Sequence, residues 1–127
     1  MTRVAACSTL CMVCATVAMG APPHAPPGLT AADVADGWIS LFDGTTLFGW
    51  RPNDAATAWE VADGAIVADA GAPGLLLTTS EFADFELRCA VRVAPGGNSG
   101  LFLRTIPDPA DPARDCYEFN VCDTHTD

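Results

Sequence analysis

After Gly37 the chain breaks into short apolar runs separated by turn signals, and that rhythm limits what it can fold into. Asp63-Gly64, Pro73-Gly74 and Pro95-Gly96-Gly97-Asn98-Ser99 separate runs that are short for helices and suited to half-buried strands. The pattern is that of an all-β sandwich or jelly roll of antiparallel strands. Strands are expected at 38–42, at 59–61 and 65–68 around the Asp63-Gly64 hairpin turn, and at 75–78, 85–93, 100–105 and 117–121. The longest, 85–93, puts Phe85, Leu87, Cys89, Val91 and Val93 on one face and Glu86, Arg88, Ala90 and Arg92 on the other. A proline- and aspartate-rich loop over 106–115 precedes the last strand. Thr30 with Asp33 has the form of a capping box, predicting one or two helical turns over 31–36 ended by Gly37. The chain stops four residues after Asp123, with no segment to cover the last strand. The expectation is a sandwich truncated at its C-terminus, either part of a longer domain or completed by a strand-sharing homo-oligomer.

Upstream of these strands the texture differs. Arg3 is the only charge before Asp33, and residues 4–18 are small and apolar. A spanning helix needs about 20 apolar residues, so this run suits a signal-peptide core, with an uncleaved anchor as the alternative. Ala18 and Gly20 supply small residues at the −3 and −1 positions, which places the cut after Gly20. The expected organisation is a signal peptide over 1–20, a proline-rich linker over 21–28 and the β domain over 29–127. The protein is then exported, periplasmic or extracellular, with no stable membrane association once the signal is removed.

Charge narrows the partners. Six Lys+Arg, all Arg, stand against 16 Asp+Glu, for a net charge of -10. Nucleic acid is disfavoured as a partner, because its phosphates are held by clustered cations. Anionic lipid is disfavoured for the same reason. Removing the signal leaves Cys89, Cys116 and Cys122, an odd set in which one thiol is free or shared with another chain. Cys116 and Cys122 lie in one expected strand, about 20 Å apart at about 3.3 Å per residue. That exceeds the roughly 7 Å a disulfide spans. His24 and His125 are isolated, so a zinc site is unsupported.

Several segments carry a family resemblance. They are Gly37-Trp38-Ile39-Ser40-Leu41-Phe42-Asp43-Gly44 with Thr46-Leu47 and Gly49-Trp50, then Trp59-Glu60-Val61 with Asp63-Gly64, and Phe82 with Asp84-Phe85-Glu86-Leu87. Asn98-Ser99-Gly100-Leu101-Phe102-Leu103-Arg104 and Tyr117-Glu118-Phe119-Asn120-Val121-Cys122-Asp123 complete the set. In this order the chain resembles the N-terminal part of the 3-keto-disaccharide hydrolase domain family, from about Leu29 onward. Asn120 stands where that family usually has Gln. The resemblance implies a concanavalin-like jelly roll of two curved antiparallel sheets. It also implies a carbohydrate partner and cleavage of glycosides whose sugar carries a ketone at C3. A divalent metal is left open as a cofactor.

Such a ketone acidifies the proton on C2, so a base can remove it while the C1 substituent leaves, and water can then add. The chemistry needs a general base, groups that stabilise an enolate and an acid for the departing oxygen. Alternation in 117–121 sends Tyr117, Phe119 and Val121 toward the core and leaves Glu118 and Asn120 together on the other face. In 100–105, Leu101 and Leu103 face the core, with Phe102 and Arg104 opposite. The candidate assignment makes Glu118 the base or a metal ligand, Arg104 the charge-stabilising group and Asn120 a substrate hydrogen bond. Asn98 and Ser99 are candidate substrate-binding residues at the cleft rim, with a structural turn into the strand as the competing reading. The competing assignment is a cross-strand Arg–Glu pair without catalytic duty. At the level of the whole chain the alternatives are a carbohydrate-binding sandwich without turnover and an inactive fragment. Asp108, Asp111 and Asp115 read as a solvated acidic loop rather than a calcium site. Trp38, Trp50 and Trp59 read as core packing before sugar stacking. Ser99 lacks the setting of a serine nucleophile.

Overall fold

The computed structural model describes residues 28–123. The expected signal peptide, its cleavage point, the linker up to residue 27, His24 and His125 lie outside the described residues. Along the chain run α1 (Ala31–Ala35), β1 (Trp50–Pro52), β2 (Thr57–Ala62), β3 (Ala65–Gly71), β4 (Leu76–Thr78), β5 (Asn98–Leu103), α2 (Pro112–Asp115) and β6 (Tyr117–Cys122). The strands pair antiparallel as β1–β4, β2–β3 and β5–β6, an all-β arrangement of the sandwich class.

α1 follows directly from its ends. Thr30 Oγ1 accepts from the Asp33 N–H at 3.2 Å, and the Asp33 carboxylate accepts from the Thr30 N–H at 2.8 Å, a complete capping box. At the other end Gly37 takes φ 86, the Gly37 N–H donates to the Val34 carbonyl and the Trp38 N–H to the Asp33 carbonyl. That is a Schellman stop, which needs a left-handed residue at the glycine. The β2–β3 hairpin turns through Asp63 and Gly64, with φ 50 and 74, the positive pair a tight two-residue turn requires.

Residues 38–42 do not form the expected strand. The Schellman stop directs Trp38 inward, where it is 5% exposed, and the following residues run irregularly to the Asp43 turn. Asp43 Oδ1 accepts from the Thr45 and Thr46 N–H groups, and Oδ2 accepts from the Thr46 hydroxyl. These bonds hold the Asp43 carboxyl down at about 2, the Thr46 hydroxyl contributing most. β1 arises beyond that turn. Trp50 Nε1 donates to the Leu41 carbonyl at 2.7 Å, tying β1 to the irregular segment. Just beyond the β1–β4 pairing, the Asn53 N–H donates to the Leu75 carbonyl at 2.9 Å and the Leu75 N–H donates to Asn53 Oδ1 at 2.8 Å.

Residues 85–93 also differ from expectation, with an isolated bridge at Glu86 in place of a ladder. The alternation survives in part, since Phe85, Leu87, Val91 and Val93 are half-buried while Glu86, Arg88 and Arg92 are exposed. An extended chain becomes a strand only where a neighbour offers a matching row of hydrogen bonds. This segment is held instead through Arg88, whose guanidinium lies 3.9 Å from the Trp38 ring centroid and pairs with Glu86 at 3.0 Å. The loop over 106–115 contains α2, capped by Asp111, whose side chain accepts from the Ala113 N–H.

Leu75, Leu77 and Phe102 form the core cluster, with Cys116 packed against it. Leu77 is 1% exposed and Phe102 4% exposed, so the contact between β4 and β5 is where the β1–β4 and β5–β6 pairs meet. Among the described residues Cys89, Cys116 and Cys122 form no disulfide. No helix among the described residues is long and apolar enough to cross a membrane.

Candidate active site

β5 and β6 carry the candidate residues, and their register is unbroken. Asn98 stands opposite Cys122, Ser99 opposite Val121, Gly100 opposite Asn120, Leu101 opposite Phe119, Phe102 opposite Glu118 and Leu103 opposite Tyr117. Directly opposed residues project to the same side of a sheet. One face therefore holds Asn98, Gly100, Phe102, Glu118, Asn120 and Cys122. The other holds Ser99, Leu101, Leu103, Tyr117, Phe119 and Val121.

The grouping by faces follows the strand alternation, but the packed face is the reverse of the expected one. Phe102 is buried, whereas Tyr117 is 72% and Phe119 65% exposed. Phe102 meets Leu75 and Leu77, and that contact decides which face of β5 turns inward. Five of the six residues of β6 are exposed, Glu118 and Asn120 among them, although these two share the face of Phe102.

Glu118, Asn120 and Asn98 form an exposed polar row on that face. Glu118 and Asn120, two positions apart on one strand, stand about 7 Å apart. Asn98 and Asn120 are diagonal neighbours, about 7–8 Å apart. A carboxylate and two carboxamides at this spacing offer a proton acceptor beside hydrogen-bond donors. Burial, and after it the Glu118 carboxylate, pushes the Cys116 thiol up.

Arg104 stands apart from the row. It has φ 54, in the left-handed region, which ends the alternation of β5. Its guanidinium pairs with Asp84 at 3.7 Å, and both side chains are largely exposed. The pair borders an open recess of about 550 Å³ lined by Asp84, Phe85, Leu103, Arg104 and Tyr117. Phe102, rather than Arg104, is the ladder partner of Glu118. Ser99 is 3% exposed and lies on the face opposite the polar row. Asp123 closes the hairpin, its carboxylate accepting from the Gly96 N–H at 3.0 Å and its own N–H donating to the Gly97 carbonyl.

The three acidic side chains of the loop over 106–115 are engaged. The Asp115 carboxylate accepts from the Ala110 and Asp111 N–H groups, which lower its pKa. Asp108 pairs with Arg51 and Asp111 with Arg114. Among the described residues no three His, Cys, Asp or Glu side chains gather as a metal-holding group. Asp84 carried no sequence signal as the partner of Arg104. Gly100 carried one, since a glycine inside a strand marks a bulge, a bend or a close approach.

Comparison with known sequences bears on the whole β region. The family profile of the 3-keto-alpha-glucoside-1,2-lyase-like domain matches residues 37–127. A 3-keto-disaccharide hydrolase from Bacteroides thetaiotaomicron is 38% identical over 79 residues, which cover 54% of this chain and 27% of that relative. The chain thus spans about a quarter of the relative's length. No solved structure matches it. With the family profile extending from Gly37 through both strands of the polar row, this chain belongs to the 3-keto-alpha-glucoside-1,2-lyase-like domain family.

Proposed function

We propose that this chain acts on glycosides oxidised to a ketone at C3, with Glu118 as the base that removes the C2 proton. The observation that carries this proposal is the exposed row of Glu118, Asn120 and Asn98 on one face of the β5–β6 hairpin. As the Glu118 carboxylate takes the proton, the C2–H electrons pass into an enolate with the C3 oxygen. The Asn120 and Asn98 carboxamides donate hydrogen bonds to that oxygen. The C1–O bond breaks, its electrons leave on the oxygen, and that oxygen departs with the proton that Glu118 took from C2. Water then adds at C1 and a proton returns to C2, so one water is consumed overall. The lyase in the family's description corresponds to the first half of this sequence and the hydrolase in the relative's name to its net result, and both support the proposal. In this reading Asn120 and Asn98, rather than Arg104, stabilise the enolate, because the Arg104 guanidinium is paired with Asp84 beyond the end of β5.

The test is turnover of a 3-keto glucoside by the full chain and by Glu118→Gln. General-base catalysis contributes about 10²–10⁴-fold, and the variant should lose a factor in that range while keeping its thermal midpoint. Unchanged turnover would remove Glu118 from the mechanism. Saturable binding with no turnover by either protein would make the chain a carbohydrate-binding sandwich instead. Export belongs to the same proposal, supported by the signal-like composition of residues 1–20. The expected result is a secreted protein whose N-terminus is Ala21, and a cell-retained protein still carrying Met1 would refute it.

A further inference from the structure

Gly100 is buried in the middle of β5, opposite Asn120. Glycine weakens a strand interior, so it marks a bulge, a bend or the close approach of another group. The unbroken register from Asn98 to Leu103 excludes a bulge, and Gly100 is not among the residues with positive φ. Close approach remains, and the group that approaches is Glu118. A β-carbon on Gly100 would overlap Glu118 Oε1 and would stand 2.9 Å from its Cγ and 3.0 Å from its Cδ. These three atoms are the nearest to that position, so the Glu118 side chain occupies the space a side chain at residue 100 would take.

We infer that Gly100 is a positioning residue, which holds the Glu118 carboxylate across the sheet between the Asn120 and Phe102 positions by offering it a surface without a side chain. The inference rests on the proposed role of Glu118 as the base. A methyl group at residue 100 presses on Cγ as well as on the carboxylate, so Glu118 cannot relieve the overlap by turning its last bond alone. It must change rotamer and carry the carboxylate off the row. The β5–β6 ladder is made by backbone groups, and a flexible exposed side chain is what yields, so the hairpin persists.

The experiment compares the full-length chain with Gly100→Ala, Glu118→Gln, the double variant and Glu118→Asp, using a 3-keto glucoside as substrate. A catalytic group misplaced by about 1 Å can cost roughly 100-fold in rate. Gly100→Ala should therefore lower kcat about 100-fold with KM changed by less than about twofold, since ground-state binding is untouched. The double variant should fall no further than Glu118→Gln, because residues that act through one group are not additive. Glu118→Asp, which shortens the side chain without crowding residue 100, should lose turnover comparably. It decides the matter if Gly100→Ala fails to fold. Native turnover in Gly100→Ala while Glu118→Gln is inactive would overturn the positioning role and leave the proposed function standing. Additive losses in the double variant would also overturn it, as would native turnover in Glu118→Asp. Normal turnover in Glu118→Gln, or none in the parent chain, would overturn the proposed function and this inference with it.

Discussion

Phe102 and Glu118 are ladder partners across β5 and β6, one buried at 4% exposure and the other open to solvent. The two share a face, yet only Phe102 reaches the core cluster with Leu75 and Leu77. A single sheet face is thereby divided into an apolar part that anchors the hairpin and a polar part left available for chemistry. Replacing the anchor and replacing the acid should therefore have separable effects, one on stability and one on turnover.

Leu77 is the most deeply buried large side chain and packs in the cluster with Leu75 and Phe102. Leu77→Ala removes apolar contact and leaves a cavity where the two strand pairs meet. The expected loss is about 2–5 kcal/mol, read from urea unfolding. A loss below about 1 kcal/mol would show that this junction collapses around the smaller residue.

Acid should weaken the turn that precedes β1. The Asp43 carboxyl is lowered in the folded chain from 3.8 to about 2, so the folded state favours the ionised form. Its contribution is fully present above pH 3.8 and is lost as pH falls through about 2. Asp43→Asn retains an acceptor for the Thr45 and Thr46 N–H groups but does not titrate. Its thermal midpoint should fall less steeply than the parent's across that acid range. Equal slopes would remove Asp43 as a source of the acid dependence.

Gly74 is buried against Thr57, and a β-carbon there would overlap Thr57 Oγ1 and stand 3.1 Å from Thr57 Cβ. Thr57 cannot retreat cheaply, being 5% exposed and donating to the Ala72 carbonyl at 2.6 Å. Gly74→Ala should destabilise by about 1–3 kcal/mol through overpacking. A change within about 0.5 kcal/mol would show that Thr57 moves freely.

Arg104 and Glu118 make opposite predictions in the same assay. The Arg104–Asp84 pair is exposed, and such pairs contribute about 0–1 kcal/mol to stability. Arg104→Ala should change the unfolding free energy by no more than that and lower kcat far less than Glu118→Gln. An equal loss of kcat in the two variants would place Arg104 in the reaction and require it to leave Asp84.

Local structure was legible wherever a short stretch of chain contains its own cause. Thr30 and Asp33 form the expected capping box, Asp63 and Gly64 make the expected hairpin turn, and alternation grouped Glu118 with Asn120 before any register was known. Each depends on residues within a few positions of one another, where backbone geometry leaves few choices. The tertiary structure decided the rest. It turned Phe102 inward rather than Leu101 and Leu103, paired Arg104 with Asp84 and left residues 85–93 without a ladder. It also brought Glu118 over Gly100. These outcomes depend on which distant surface each element meets. Alternation places residues on faces, and only the packing of Phe102 against Leu75 and Leu77 selects the face that is buried.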